Sequence, residues 1–142
     1  MRRGTGDRRP ETEQHRGRRF RSIKAWQLAD GLVASVYQAT RGFPPDELYG
    51  LTSQMRRAAV SVAANIVEGA SRRSRQEYLQ FLSIAKASLN EWSYYLHLSR
   101  RLTYLPEPRA TELDDLCEET ARTLYGLIQA VSKDHLAVVV SA

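Results

Sequence analysis

Gly50-Leu51-Thr52-Ser53-Gln54-Met55-Arg56-Arg57-Ala58-Ala59-Val60-Ser61-Val62-Ala63-Ala64-Asn65-Ile66-Val67-Glu68-Gly69 reads as one buried helix with two apolar sides and a polar seam. At 100° per residue, Gln54, Arg57, Ser61, Asn65, Glu68 and Arg72 fall within an arc of about 80°. Leu51, Met55, Ala58, Ala59, Val62 and Ile66 recur three and four apart, as the core stripe of a bundle helix does. Val60, Ala63, Ala64 and Val67 lie on a second apolar side. Two apolar sides require two packing partners.

Upstream, Ile23, Trp26, Ala29, Leu32 or Val33, Val36 and Tyr37 keep helical spacing up to Thr40, where Arg41-Gly42-Phe43-Pro44-Pro45 breaks it. Pro44-Pro45-Asp46-Glu47 has the composition of a helix start, prolines at the entrance and acids in the first turn, with Gly50 interrupting it. Gly69 is placed to act as the C-cap of this second helix. Downstream, Ser74 with Glu77 forms a capping box. From Tyr78 through Phe81 or Leu82, Ala85, Ser88 or Leu89, Trp92, Tyr95 or Leu96 and Ser99 to Leu102, a seven-residue rhythm predicts a third helix that ends before Pro106 and Pro108. Ala85, Ala87 and Ser88 are small enough for close helix contact. A fourth helix, from about Thr111, buries Leu113, Leu116 or Cys117, Thr120, Leu124, Leu127 or Ile128 and Val131, and turns Glu112, Asp115, Glu118 and Glu119 outward.

Four amphipathic helices with short connections and no β-alternation predict an all-α, up-down-up-down antiparallel four-helix bundle over residues 21–133. Residues 1–20 form a basic tail with no apolar periodicity, expected to be disordered. Residues 134–142, with Leu136-Ala137-Val138-Val139-Val140, form an apolar C-terminal tail that extends the helix, pairs with another chain or frays.

The net charge of +5 lies mostly in the tail. Residues 1–24 carry nine Arg/Lys against three acids, so the rest of the chain is nearly neutral. Residues 56–101 hold eight basic and three acidic side chains, whereas residues 107–134 hold three and seven. The 18 arginines against three lysines suit phosphate recognition, or equally a genomic codon bias. The tail reads as a nucleic-acid arm, a solvated extension without a role, or a start codon assigned too far upstream. The single Cys117 allows no internal disulfide and reads as a small core residue, and His15, His97 and His135 have no metal-ligand spacing. With no membrane-length apolar run and no signal-peptide pattern, the expected location is the cytoplasm, with no cofactor and no metal.

Gln54, Arg57, Ser61, Asn65 and Glu68 converge, but a nucleophilic serine needs a base, and the first two helices contain no histidine. Neither a phosphate-binding glycine loop nor a carboxylate cluster is present. The reading preferred over a catalytic group is a structural polar seam in which Arg57 and Glu68 pair. The second apolar side points to an oligomer interface through Trp26, Val60, Ala64, Val67 and Trp92; the alternative is a helix wrapped on both sides by its own neighbours. Nucleic-acid contact would rest on Arg56, Arg72, Arg73, Arg75, Lys86, Arg100 and Arg101, with Arg18 and Arg19 of the tail.

Lys24-Ala25-Trp26-Gln27, Val36-Tyr37, Phe43-Pro44, Gly50-Leu51, Gln54-Met55-Arg56-Arg57-Ala58, Ser61 through Gly69, Arg72 and Phe81-Leu82-Ser83-Ile84-Ala85 together resemble the bacterial 23S rRNA intervening-sequence proteins. The resemblance covers residues 20 to about 130. It departs at Ala87, where the family has glycine before Ser88, and in the added basic tail before Phe20. It implies a non-enzymatic four-helix bundle assembling as a ring, with a homopentamer the expected form. The family is similar to the accessory variability determinants of diversity-generating retroelements, basic pentamers that bind RNA and a reverse transcriptase. The expected function is a non-catalytic accessory protein that associates with RNA or DNA through basic surfaces, with itself and a reverse transcriptase as further partners. The alternative is an assembly or protein-interaction module in which the acidic fourth helix and apolar tail dock a partner.

Overall fold

Ala25, Ala29, Leu32 and Val36 define one face of the first helix, Lys24–Thr40 (α1), and all four are buried. The computed structural model describes residues 19–141, with side chains described for residues 20–133. The tail through Arg18 and the side chain of Arg19 therefore lie outside the described residues. A 3-10 turn, Arg19–Ser22, precedes α1, and Phe20 meets Trp26 edge-on at 4.9 Å.

The second helix does not begin at the prolines. Pro45–Glu47 forms a separate 3-10 turn, and α2 runs Leu51–Ala70 because Gly50 adopts a non-helical backbone between them. Glu47 acts from outside α2: its Oε2 accepts the Leu51 N–H at 2.8 Å, meeting one of the free amides at the helix start. Ser74 caps α3 (Arg75–Arg101) as its sequence predicts, accepting the Glu77 N–H at 3.1 Å.

Helix α3 ends with a Schellman arrangement: Tyr104 N–H donates to Ser99 O at 2.9 Å and Thr103 N–H to Arg100 O at 3.0 Å. Thr103 sits at φ 60° where glycine is usual. Helix α4 spans Glu107–Ser141, starting four residues before Thr111 because Pro108 fits a first turn, where its missing N–H is not needed. It also carries the backbone through most of the proposed C-terminal tail, whose side chains lie outside the described residues.

Helix α2 packs on α1 and α3, α3 on α4, and α4 closes on α1, giving the up-down-up-down bundle. One end holds the α2–α3 turn with the start of α1; the other holds the α1–α2 and α3–α4 connections. The 27 residues of α3 separate them by about 40 Å. The core is built from Leu32, Met55, Ile66, Leu82, Trp92, Leu96, Leu113 and Leu124. Trp92 is 0% exposed, which removes it from any interface between copies: its indole points into the bundle.

Gly69 is also reassigned. It lies inside α2 rather than beyond it, and a Cβ there would stand 2.8 Å from Tyr78 Cδ2 and 3.0 Å from Phe81 Cβ. The glycine lets α2 and α3 meet closely beside their turn. Cys117 is a core residue, and burial pushes its thiol up to about 11, with Asp114 and Glu118 adding to the shift.

Candidate functional site

The polar residues of α2 form a chain of contacts whose other half lies on α3. Arg57 donates through Nε to Gln54 Oε1 at 3.0 Å and pairs through Nη2 with Glu91, not Glu68. Tyr95 donates to Glu91 at 2.5 Å. Ser61 and Ser88 share a hydrogen bond of 2.8 Å, and Asn65 Nδ2 donates to Ser61 O at 2.8 Å. Glu68 instead pairs with Arg72, one turn on, at 3.3 Å. The expected Arg57–Glu68 pair fails because eleven positions of helix, about 16 Å of rise, separate the two.

Nor is the seam buried. Gln54, Arg57 and Glu68 are exposed, and Ser61 and Asn65 are half-buried. The hydrogen bond from Tyr95 lowers the Glu91 carboxyl below its ordinary range, with Arg57 acting in the same direction against the cost of burial. The same bond raises the Tyr95 phenol. Ser61 is held by Ser88 and Asn65, neither of which is a proton acceptor of the kind a nucleophile needs. Among the described residues, no group of three or more His, Cys, Asp or Glu is placed to hold a metal ion. No described helix is long and apolar enough to cross a membrane.

Sequence reasoning misses Ser88 and Glu91 as members of the seam. The signal that finds them is the spacing of Ser88, Glu91 and Tyr95, three and four apart on one face of the facing helix.

The second apolar side of α2 divides. Ala63 is buried and Val67 half-buried, but Val60 is 41% exposed and Ala64 is open to solvent. At its lower end, Val60 joins Tyr37, Leu48 and Tyr49 in a groove of about 500 Å³ that also meets Arg56 and Arg57. Tyr49 is 92% exposed. Trp26 is half-buried and packs against the core.

The basic residues do not form one patch. Arg72, Arg73 and Arg75 are exposed at the α2–α3 turn, where Arg72 also lies 4.7 Å over the Phe81 ring. Lys86 is exposed midway along α3, and Arg101 is exposed at the far end. Arg56 and Arg100 are committed to the fold. Arg56 donates to Thr40 Oγ1 at 2.9 Å and stacks 4.6 Å from the Tyr37 ring. Arg100 reaches Glu107 at 3.7 Å and Asp114 at 3.6 Å. Arg109, which sequence reasoning passes over, donates to Ser35 O at 3.3 Å and pairs with Glu112 at 2.9 Å, tying α4 to α1.

The sequence profile described as 23S rRNA-intervening sequence protein matches residues 21–126. Among solved structures, a protein of unknown function from the S23 ribosomal protein family of Bacteroides thetaiotaomicron superposes with a TM-score of 0.69. It is 21% identical, over 74% of this chain and 95% of that one, a likeness that shows the fold. A search of curated proteins found no match.

Proposed function

The chain belongs to the 23S rRNA-intervening sequence protein family, and on that premise we propose that it is a non-catalytic accessory protein that binds nucleic acid as a homo-oligomer. The observation carrying the reading is the α2–α3 turn: Arg72, Arg73 and Arg75 stand exposed together, and Glu68 is the only carboxylate paired to any of them among the described residues. The arginine-rich segment joins the bundle through α1 at this same end. A ring, pentameric on the family resemblance, would multiply the turn into a continuous positive field that phosphates follow without sequence readout. The partners are a second copy, RNA or DNA, and a reverse transcriptase where the gene lies in a diversity-generating retroelement.

A salt series of RNA binding by the full-length protein and by a chain starting at Phe20 tests the nucleic-acid reading. Both should bind at low salt and weaken steeply as salt rises. Failure of both at low salt overturns it, and binding by the full-length chain alone assigns the activity to the tail.

The exposed Val60, Ala64 and Tyr49 favour a second reading, an assembly module whose charges only solvate it. Light scattering tests the part common to both readings: a monomer at micromolar concentration overturns self-association. A reverse transcriptase and template repeat beside the gene would support the retroelement partner.

A further inference from the structure

Helix α3 carries a feature that neither the turn arginines nor the α2 seam accounts for. Lys86, Asn90, Tyr94, His97 and Arg101 share an arc of about 80° on its solvent side, and all five are exposed. No carboxylate lies among them. The nearest on the same helix, Glu91, is taken by Arg57 and Tyr95, and on the neighbouring α4 both Glu107 and Asp114 are taken by Arg100. Both cations of the stripe, Lys86 and Arg101, are therefore without an ion-pair partner among the described residues.

At its centre is an aromatic platform. Tyr94 is 59% exposed, its ring turned to solvent rather than into the bundle. His97 lies stacked beside it, with ring centres 6.4 Å apart and planes 29° apart, and Tyr95 flanks it at 6.1 Å. Lys86 is about 12 Å along the helix on one side of Tyr94 and Arg101 about 10 Å on the other. A flat aromatic face between two cations is what an unpaired base and its flanking phosphates require, because stacking uses the π-face common to every base. A duplex keeps its bases stacked on one another and cannot offer that face.

We propose that this stripe is a track for single-stranded nucleic acid, in which an unpaired base stacks on Tyr94 while Lys86 and Arg101 hold phosphates on either side. The track rests on the nucleic-acid reading above and adds to it a ligand class and a site separate from the α2–α3 turn. Asn90 and His97 supply hydrogen-bonding groups to the base or sugar.

Fluorescence anisotropy with the full-length protein tests it, using a labelled oligouridylate of about 15 nucleotides and a duplex of the same length. Tyr94→Ala should weaken binding of the single strand about tenfold and leave the duplex unchanged, while Tyr94→Phe binds as the unaltered chain does. Arg101→Ala should flatten the single-strand salt slope by about 0.7. If the unaltered protein binds neither probe at low salt, the nucleic-acid reading falls and the track with it. If it binds but Tyr94→Ala changes nothing, the track alone is overturned. Equal loss on both probes, or equal loss with Tyr94→Phe, overturns stacking on the ring.

Discussion

The two ends of the bundle use the same side chain differently. At the α2–α3 turn, Arg73 and Arg75 stand in solvent and Arg72, though exposed, is held by Glu68 and the Phe81 ring, beside a tight helix contact at Gly69. At the other end Arg56, Arg100 and Arg109 are drawn onto a hydroxyl, carboxylates and a carbonyl, around a connection that holds Thr103 at φ 60°. Residue counts put both sets in one basic total. The structure separates cations that fasten the fold from cations left open to a partner, and the difference follows from neighbours: acids of α4 reach one end, whereas at the α2–α3 turn only Arg72 is paired, with Glu68, and Glu77 makes no ion pair with a described residue.

Gly69→Ala attacks the free end hardest. The added methyl must displace Tyr78 or part α2 from α3, and chemical denaturation should show a loss of about 1–3 kcal/mol. An unchanged midpoint would mean that the close contact does not set the turn. Thr103→Gly acts on the fastened end in the opposite direction. Relieving a left-handed β-branched residue should raise stability by about 1 kcal/mol, and a loss would show that the Thr103 side chain contributes something the strain conceals.

Ser74→Ala removes the α3 cap and should cost about 1 kcal/mol in thermal unfolding. The arginines themselves give a smaller contrast. Arg100→Ala should cost about 0.2–1 kcal/mol, since its acids are partly solvated, while Arg73→Ala stays within about 0.5 kcal/mol of the unaltered protein. Equal losses would erase the distinction between the ends.

The smallest effect lies between the ends, at Glu91. Its lowered pKa means that the folded state favours the carboxylate, so this stabilisation is present above the ordinary carboxylate range and is lost as pH falls through the lowered value. Glu91→Gln should remove that part of the acid dependence of the melting temperature. An identical acid limb in both proteins would show that the Arg57 and Tyr95 contacts carry no stability.

Much of this fold is legible in the order of residues. The apolar stripes of Ala25 to Val36, Met55 to Ile66, Leu82 to Leu96 and Leu113 to Val131 each name a helix and its inward face, and Ser74 with Glu77 names the start of α3. These are local signals, set by 3.6 residues per turn and by the free amides of a helix end. Gly69 misleads because a neighbour sets its role, and Thr103 departs from the residue usual at its position. A glycine near a helix end suggests a cap, yet here a neighbouring ring requires it, while the cap that usually takes glycine is occupied by threonine.

The candidate sites follow the same division. Periodicity places Arg57, Ser61 and Glu68 on one side of α2, and the absence of a suitable base argues against chemistry there. It cannot supply Glu91 as the partner of Arg57, because that depends on how α3 is rotated and how far it is shifted along α2. It cannot separate buried Trp92 from exposed Tyr94, two positions on in the same aromatic cluster, without knowing where the other helices lie.

The sequence by itself determined four helices, their inward faces, the antiparallel order that short connections permit, and the excess of arginine. Only the tertiary structure decided which arginines are fastened, which aromatic residues meet solvent and which face of α2 remains open. Local periodicity is a property of one segment, whereas ion pairs and burial are set by the rotation and axial register between segments.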